Sequence, residues 1–361
     1  MEIQLKNTII SKNNYPFMVA EIGANHMGNQ DIFMETISEA IKSGANGIKL
    51  QTYTAESMTL DCDTEWFIIK EGPWAGMKLW DLYSQGALPR EWHYKAFEFC
   101  NQKRVECFST PFSENDVDFL EKLKCPIYKV ASFELTHTRL IEYISKTNKP
   151  VILSTGMADT VDLNRATNIL NNKNIKYVLL HCTSAYPTPT NEAHIGRIKF
   201  LSNYSNLVGY SDHTLDNIAA SGAVALGAAM IEKHFTLDSR HGLDAKFSMT
   251  PIQFSNLVDA CVDMYSAVHT PYSSSQDKSK KFRRSFFASR DIEKGEVFTN
   301  ENTTIIRPSD GIEPYYYNKL IGEQYDHSAF SNAVSVYYHR AKFDIKRGYP
   351  ITHDAIDPPL K

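Results

Sequence analysis

Eight short runs rich in Val, Ile, Leu, Tyr and Phe recur through the N-terminal two thirds of this 361-residue chain, separated by stretches of helical periodicity. The runs are Phe17–Gly23, Gly47–Gln51, Glu106–Thr110, Ile127–Ser132, Pro150–Gly156, Tyr177–Thr183, Leu207–Asp212 and Met230–Phe235. Each is brief, nearly continuous in apolar residues and closed by polar or glycine positions, the pattern of a strand buried on both faces. Between them, DIFMETISEAIKSGA places apolar residues at helical spacing, SENDVDFLEKL opens on a capping serine, and LDNIAASGAVALGA is an Ala-rich apolar helix. Eightfold strand–helix alternation calls for a parallel sheet, and eight units close into a (β/α)8 TIM barrel. An open doubly wound sheet is the lesser alternative. The barrel is preferred because the reactive residues cluster at the C-terminal ends of the runs, which in a barrel converge on one mouth.

The helical texture fades near Val268. The Ser/Lys-rich stretch Thr270–Arg284 reads as a linker, leaving residues 1–269 as the barrel and 285–361 as a small β-rich domain. That domain contains two similar stretches, ASRDIEKGEVFTNENT (Ala288–Thr303) and AKFDIKRGYPITHDAI (Ala341–Ile356), which suggest a pseudo-symmetric module.

A net charge of -4 gives no basic field to hold nucleic acid or an anionic membrane, so an anionic substrate must be gripped locally. None of the six cysteines forms a C-x-x-C pair, and most sit in apolar runs, as expected of buried free thiols in a reducing compartment. The N-terminus has no continuous apolar h-region and no stretch approaches spanning length, so the expected location is the cytoplasm.

Three groups of residues stand where the mouth is expected. His213 in SDHT and His234 in EKHF are too far apart for a local finger, yet they lie on neighbouring strands. Two imidazoles with open positions suit a divalent metal, Mn2+ or Mg2+, completed by water or substrate oxygens. Glu232 shares strand parity with His234 and is expected to orient it. The second group comprises Lys49, Thr110, Lys129, Ser132, Ser154 and Ser211, a set of donors and cations able to hold a phosphate. A lysine inside a buried run is costly unless it meets an anion. Lys129 and Ser132 differ in parity, so the chain must bend between them for both to reach the mouth. The third group is Glu21, Glu134 and Asp244, candidates for a general base or for orienting a lysine.

The ordered motifs AEIGANHMGN, IKLQTYTAESM, FSTPF, YKVASFE, ILSTGM, HCTSAYPTP, GYSDHTLDN and IEKHFT resemble the sialic acid synthase family. The tail RSFFASRDIEKGEVFTNENTTIIRPSDGI resembles that family's antifreeze-like SAF (β-clip) domain. The resemblance implies a condensation of phosphoenolpyruvate, water and an open-chain acetamido-sugar. It places Lys49, Thr110, Lys129, Ser132, Ser154, Ser184 and Ser211 on phosphoenolpyruvate. It places Gln51, Tyr186, Asp244 and Arg307 on the sugar, Glu21, Glu134, Lys129 and Asp244 in the chemistry, and the metal on His213 and His234. It further implies a domain-swapped homodimer, with Arg307 reaching over a partner's mouth to the acetamido group. ASFE, and the segment Asp63–His93, resemble the branch whose acceptor is 2,4-diacetamido-2,4,6-trideoxy-altrose; branches using N-acetylmannosamine or a manno-configured isomer are the alternative. The chain departs from the family pattern at Glu323–Arg340, which intervenes before the second D-I-x-(K/R)-G stretch.

Overall fold

The computed structural model describes every residue except 1, 73, 241, 272–274, 323–337 and 361. The intervening stretch Glu323–Arg340 therefore falls largely outside the described residues.

The chain divides into two compact units, Met1–Thr270 and Pro271–Lys361. In the first, eight parallel strands close into a barrel: β1 (Phe17–Glu21), β2 (Gly47–Thr52), β3 (Glu106–Pro111), β4 (Tyr128–Val130), β5 (Val151–Ser154), β6 (Tyr177–His181), β7 (Val208–Asp212) and β8 (Met230–His234). β8 pairs with β1, in register from Met230 opposite Phe17 to His234 opposite Glu21, and so closes the circle. Nearly every strand residue is buried, which explains the near-continuous apolar runs. An N-terminal hairpin, Glu2–Gln4 with Ile9–Ser11, adds Ile3, Leu5 and Ile10 to the barrel's core cluster. It is tied to the N-terminal ends of strands by a bond from the Asn7 amide to Glu106 and one from the Lys176 ammonium to the Glu2 carbonyl.

The helices follow local signals. Gln30–Lys42 is capped by Asn29, whose side chain accepts from the amides of Asp31 and Ile32. Glu114–Lys122 is capped by the expected Ser113, which accepts from the Asp116 amide. Thr138–Ser145 buries Leu140, Ile141 and Ile144 against the sheet, each worth about 1.5–3 kcal/mol.

In the second unit the two similar stretches face each other. Ile292 and Ile345 exchange two backbone hydrogen bonds of 2.8 Å. Gly295 donates to the Ala341 carbonyl and Gly348 to that of Ala288, at matching positions of the repeat. The core is Phe286, Ile292, Phe298, Ile312, Ile345, Ile351 and Ile356. The stretch read as linker differs from expectation: Ser275–Ser279 forms a short helix. Gln, Asp and Lys have ordinary helix propensity, and the Asp277–Lys280 pair at 2.6 Å supports the turn.

Candidate active site

The C-terminal strand ends surround a cavity of about 350 Å³. Its walls include Lys49, Gln51, Lys129, Ser132, Glu134, Ser154, Ser184, Tyr186, Ser211, His213, His234 and Asp244. Glu21 is buried against the lining residues Lys49 and Gln51, and Thr110 is buried opposite Gln51 in the β2–β3 ladder. Arg307 lies in the second unit, exposed, just after the strand Thr303–Ile306.

The bend required between Lys129 and Ser132 is present. β4 ends at Val130, and a 3-10 turn spans Ser132–Glu134, so both side chains reach the cavity. Two buried cations and two buried carboxylates meet there. Lys49 lies 2.6 Å from Glu21 and 3.4 Å from Glu232. Gln51 donates to Glu21 at 2.9 Å, and Ser211 donates to Glu232 at 3.0 Å. Lys129 has longer contacts: 3.4 Å to the Val130 carbonyl and 3.9 Å to Glu232. Burial opposes ionisation of Glu232, but the Lys129 and Lys49 ammoniums hold its carboxyl well below the usual carboxylate range. Burial pushes Lys129 down, with Glu232 opposing and Lys49 adding repulsion. For Lys49 the attraction of Glu21 and Glu232 outweighs burial and the shift is upward. Glu134 is raised mainly by burial.

This geometry corrects one expectation. Glu232 shares its face with His234 but sits against its ladder partner Ser211 and the two lysines. Asp244 is the carboxylate beside His234, with Oδ2 3.6 Å from Nδ1. Asp244 is itself held by the Ala24 amide at 3.0 Å, and its own amide donates to Asn25 at 3.0 Å. Gly23 makes this approach possible. Its φ is +54°, and a Cβ there would lie 2.3 Å from Asp244 Oδ2.

The His213 and His234 ring centroids are 5.6 Å apart. His213 Nδ1 lies 2.9 Å from the Thr183 carbonyl, which can only accept, so Nδ1 carries the proton and Nε2 keeps its lone pair. Burial and the neighbouring His234 lower the His213 pKa to about 3, keeping the ring neutral as a ligand requires. His234 Nδ1 is buried without a hydrogen-bond partner. Among the described residues no cluster of three or more His, Cys, Asp or Glu forms a metal cage. Two imidazoles, His213 neutral and anchored through its far nitrogen, nevertheless fit an ion completed by water or substrate.

Another part of the wall is aromatic and was not anticipated from polar residues alone. It comprises Tyr53, Trp74, Tyr83, Phe112, Phe133 and Phe247, with Met58, Leu82 and Leu243. Trp74 donates its indole N–H to the Leu243 carbonyl at 3.2 Å and packs edge-on to Phe247, which packs edge-on to His234. The signal available in the sequence was the aromatic density of residues 53–83.

A parallel barrel with two buried lysines and two imidazoles at its C-terminal mouth is the frame of an enzyme acting on a small anionic substrate. Residues 36–271 match the NeuB family and residues 283–325 the SAF domain. The chain is 42% identical to the pseudaminic acid synthase of Campylobacter jejuni, over 85% of this chain and 92% of the relative. It is 37% identical to the pseudaminic acid synthase of Helicobacter pylori (86% and 93%) and 33% to the N,N'-diacetyllegionaminic acid synthase of Campylobacter jejuni (85% and 94%). The N-acetylneuraminic acid synthetase of Leptospira borgpetersenii superposes with a TM-score of 0.70 at 29% identity, covering 77% of this chain and 95% of that one. The chain belongs to the NeuB family, whose named members are sugar-acid synthases, and is an enzyme of the transferase class.

Proposed function

We propose that this enzyme forms pseudaminic acid, condensing phosphoenolpyruvate with 2,4-diacetamido-2,4,6-trideoxy-L-altrose and water and releasing phosphate. Lys129 carries the reading. A buried ammonium with only long contacts costs several kcal/mol unless an anion arrives, and phosphoenolpyruvate brings a carboxylate and a phosphate. Thr110 Oγ1 and Ser184 Oγ, both buried without partners, are spare hydroxyls for that anion. Identity of 41–42% and 37% to relatives named pseudaminic acid synthase, against 33% and 31% to those named for legionaminic acid, favours the altrose-configured acceptor.

In this reading Lys49 and Lys129 hold the anionic groups of phosphoenolpyruvate, and Thr110, Ser132, Ser154, Ser184 and Ser211 donate to its oxygens. Glu21 fixes Lys49. Gln51, Tyr186 and Asp244 place the sugar, with the aldehyde carbon facing C3 of the enol. The new bond joins C3 to that carbon as the carbonyl π pair moves to oxygen. Water adds at C2; the C2–O bond to phosphate then breaks with its electron pair going to phosphate, which takes the C2 hydroxyl proton as the C2 ketone forms. Glu134, raised by burial, takes the proton that water gives up. The former aldehyde oxygen takes up one proton, so the site's charge is restored. His213 and His234 would hold a divalent ion, which when bound would supply Lewis-acid polarisation of the aldehyde, worth several kcal/mol.

The SAF domain extends the reading to a homodimer in which Arg307 of one copy contacts the acetamido group at the other's barrel. Among the described residues no helix is long and apolar enough to cross a membrane, and the reading places the enzyme in the cytoplasm with its phosphoenolpyruvate. The test is incubation with phosphoenolpyruvate, Mn2+ and the altrose-configured sugar. Equimolar phosphate and a product of the condensed mass are expected. Phosphate release that ignores the sugar, or none from folded protein, contradicts the proposal.

A further inference from the structure

Behind the two imidazoles, on the outer face of the barrel wall, lies a buried ion pair that does not line the cavity. Asp212 and Lys233 are ladder partners across β7 and β8, and each immediately precedes one of the histidines. Both side chains are 0% exposed, and Lys233 Nζ lies 2.8 Å from Asp212 Oδ2. The other carboxylate oxygen accepts from the Thr214 amide at 2.9 Å, and Lys233 also donates to the Thr214 carbonyl. The carbonyl of the residue after His213 is thus held by the residue before His234, and its amide by the residue before His213. Other groups near Lys233 are Asp216, a further source of attraction, and Cys261.

An apolar pair of similar volume usually serves a barrel wall as well as an ion pair or better, because desolvating two charges offsets most of their attraction. Packing alone therefore does not call for charges here. What they add is direction: two bonds from Lys233 link the strand end that carries His213 to the strand that carries His234, and a third, from the Thr214 amide to Asp212, braces that strand end itself. With His213 Nδ1 anchored on the Thr183 carbonyl, the bridge leaves the ring little freedom of position. We propose that Asp212 and Lys233 are positioning residues that fix the separation of His213 and His234 and so set the affinity of the site for a divalent ion. The inference rests on the metal reading given above.

The test is calorimetric titration of Mn2+ alone into chelator-treated protein, with phosphoenolpyruvate titrated separately. The Asp212→Leu/Lys233→Met double variant replaces the bridge by apolar side chains. It is expected to fold with the wild-type circular dichroism spectrum and to keep wild-type affinity for phosphoenolpyruvate. Its Mn2+ dissociation constant is expected to rise ~10–100-fold, the usual cost of removing outer support from a metal ligand. Wild-type Mn2+ affinity in the folded double variant overturns the proposal and leaves the bridge a purely structural element. Should the double variant fail to fold, Asp212→Asn decides in the same way, since it keeps the acceptor for Thr214 and sets an amide against the ammonium. Failure of the underlying reading looks different: wild-type protein then takes up no Mn2+, or His213→Ala takes it up as tightly as the wild type, and the inference falls with it.

Discussion

The ammonium of Lys129 lies 3.9 Å from the carboxylate of Glu232, whereas Lys49, on a neighbouring wall, reaches Glu21 at 2.6 Å. Three of the four charges are closely engaged and Lys129 is left under-paired. Lys129→Met should therefore raise the dissociation constant for phosphoenolpyruvate by at least about 30-fold, the low end of 2–5 kcal/mol for truncating one partner of a buried charged contact. Binding calorimetry checks this. Because the variant removes a poorly compensated buried charge, its melting temperature should match or exceed that of the wild type. Unchanged phosphoenolpyruvate affinity would show that Lys129 does not hold the anion.

Chelation should abolish turnover and Mn2+ should restore it. His213→Ala should lower kcat at least ~10²-fold at saturating phosphoenolpyruvate, the scale for removing a preorganised stabiliser of developing charge. Full activity in this variant would remove the metal from the account.

His93 offers a pH prediction remote from the chemistry. Its ring is fully buried between the Thr52 hydroxyl at 2.9 Å and the Pro89 carbonyl at 3.1 Å, and burial lowers its pKa to about 4. The folded state binds this proton less readily than the unfolded chain, whose ordinary value is near 6.5. The associated stability is complete above about pH 6.5 and is lost as pH falls toward 4, by about 3 kcal/mol at most. Urea unfolding of wild type and His93→Gln at pH 7, 5 and 4 should show a shallower decline in the variant.

If Arg307 acts on a partner's barrel, two inactive variants should complement each other. Lys129→Met disables a barrel but keeps the arginine, and Arg307→Ala does the reverse. After mixing and subunit exchange, activity should reappear in heterodimers, each of which contains one intact combination. No recovery in demonstrated heterodimers would place Arg307 on its own barrel or outside the site.

The barrel was legible because strands buried on both faces write unbroken apolar runs, and because β4 through β8 all carry polar residues at their C-terminal ends. Strand parity foretold the bend after Val130, where the structure turns into Ser132–Glu134. Parity gives the face of a residue but not its neighbour. The ladder register of Glu232 opposite Ser211 decided that its carboxylate meets the lysines, and the loop carrying Asp244 took its place beside His234. The aromatic wall escaped notice because Trp74 reaches the mouth through a bond to the Leu243 carbonyl, a contact that no local pattern announces. The helix Ser275–Ser279 was hidden by a polar composition shared between linkers and short surface helices.

The most direct test of the central claim is kcat/KM for three acceptors with phosphoenolpyruvate and Mn2+: 2,4-diacetamido-2,4,6-trideoxy-L-altrose, its manno-configured isomer and N-acetylmannosamine. The account predicts a condensed product and phosphate from the altrose-configured sugar, with the other two at least about 100-fold poorer, the discrimination available to a site whose buried polar groups are matched to one stereochemistry. A higher kcat/KM for either of the other sugars would contradict the assignment to pseudaminic acid while leaving the barrel chemistry in place.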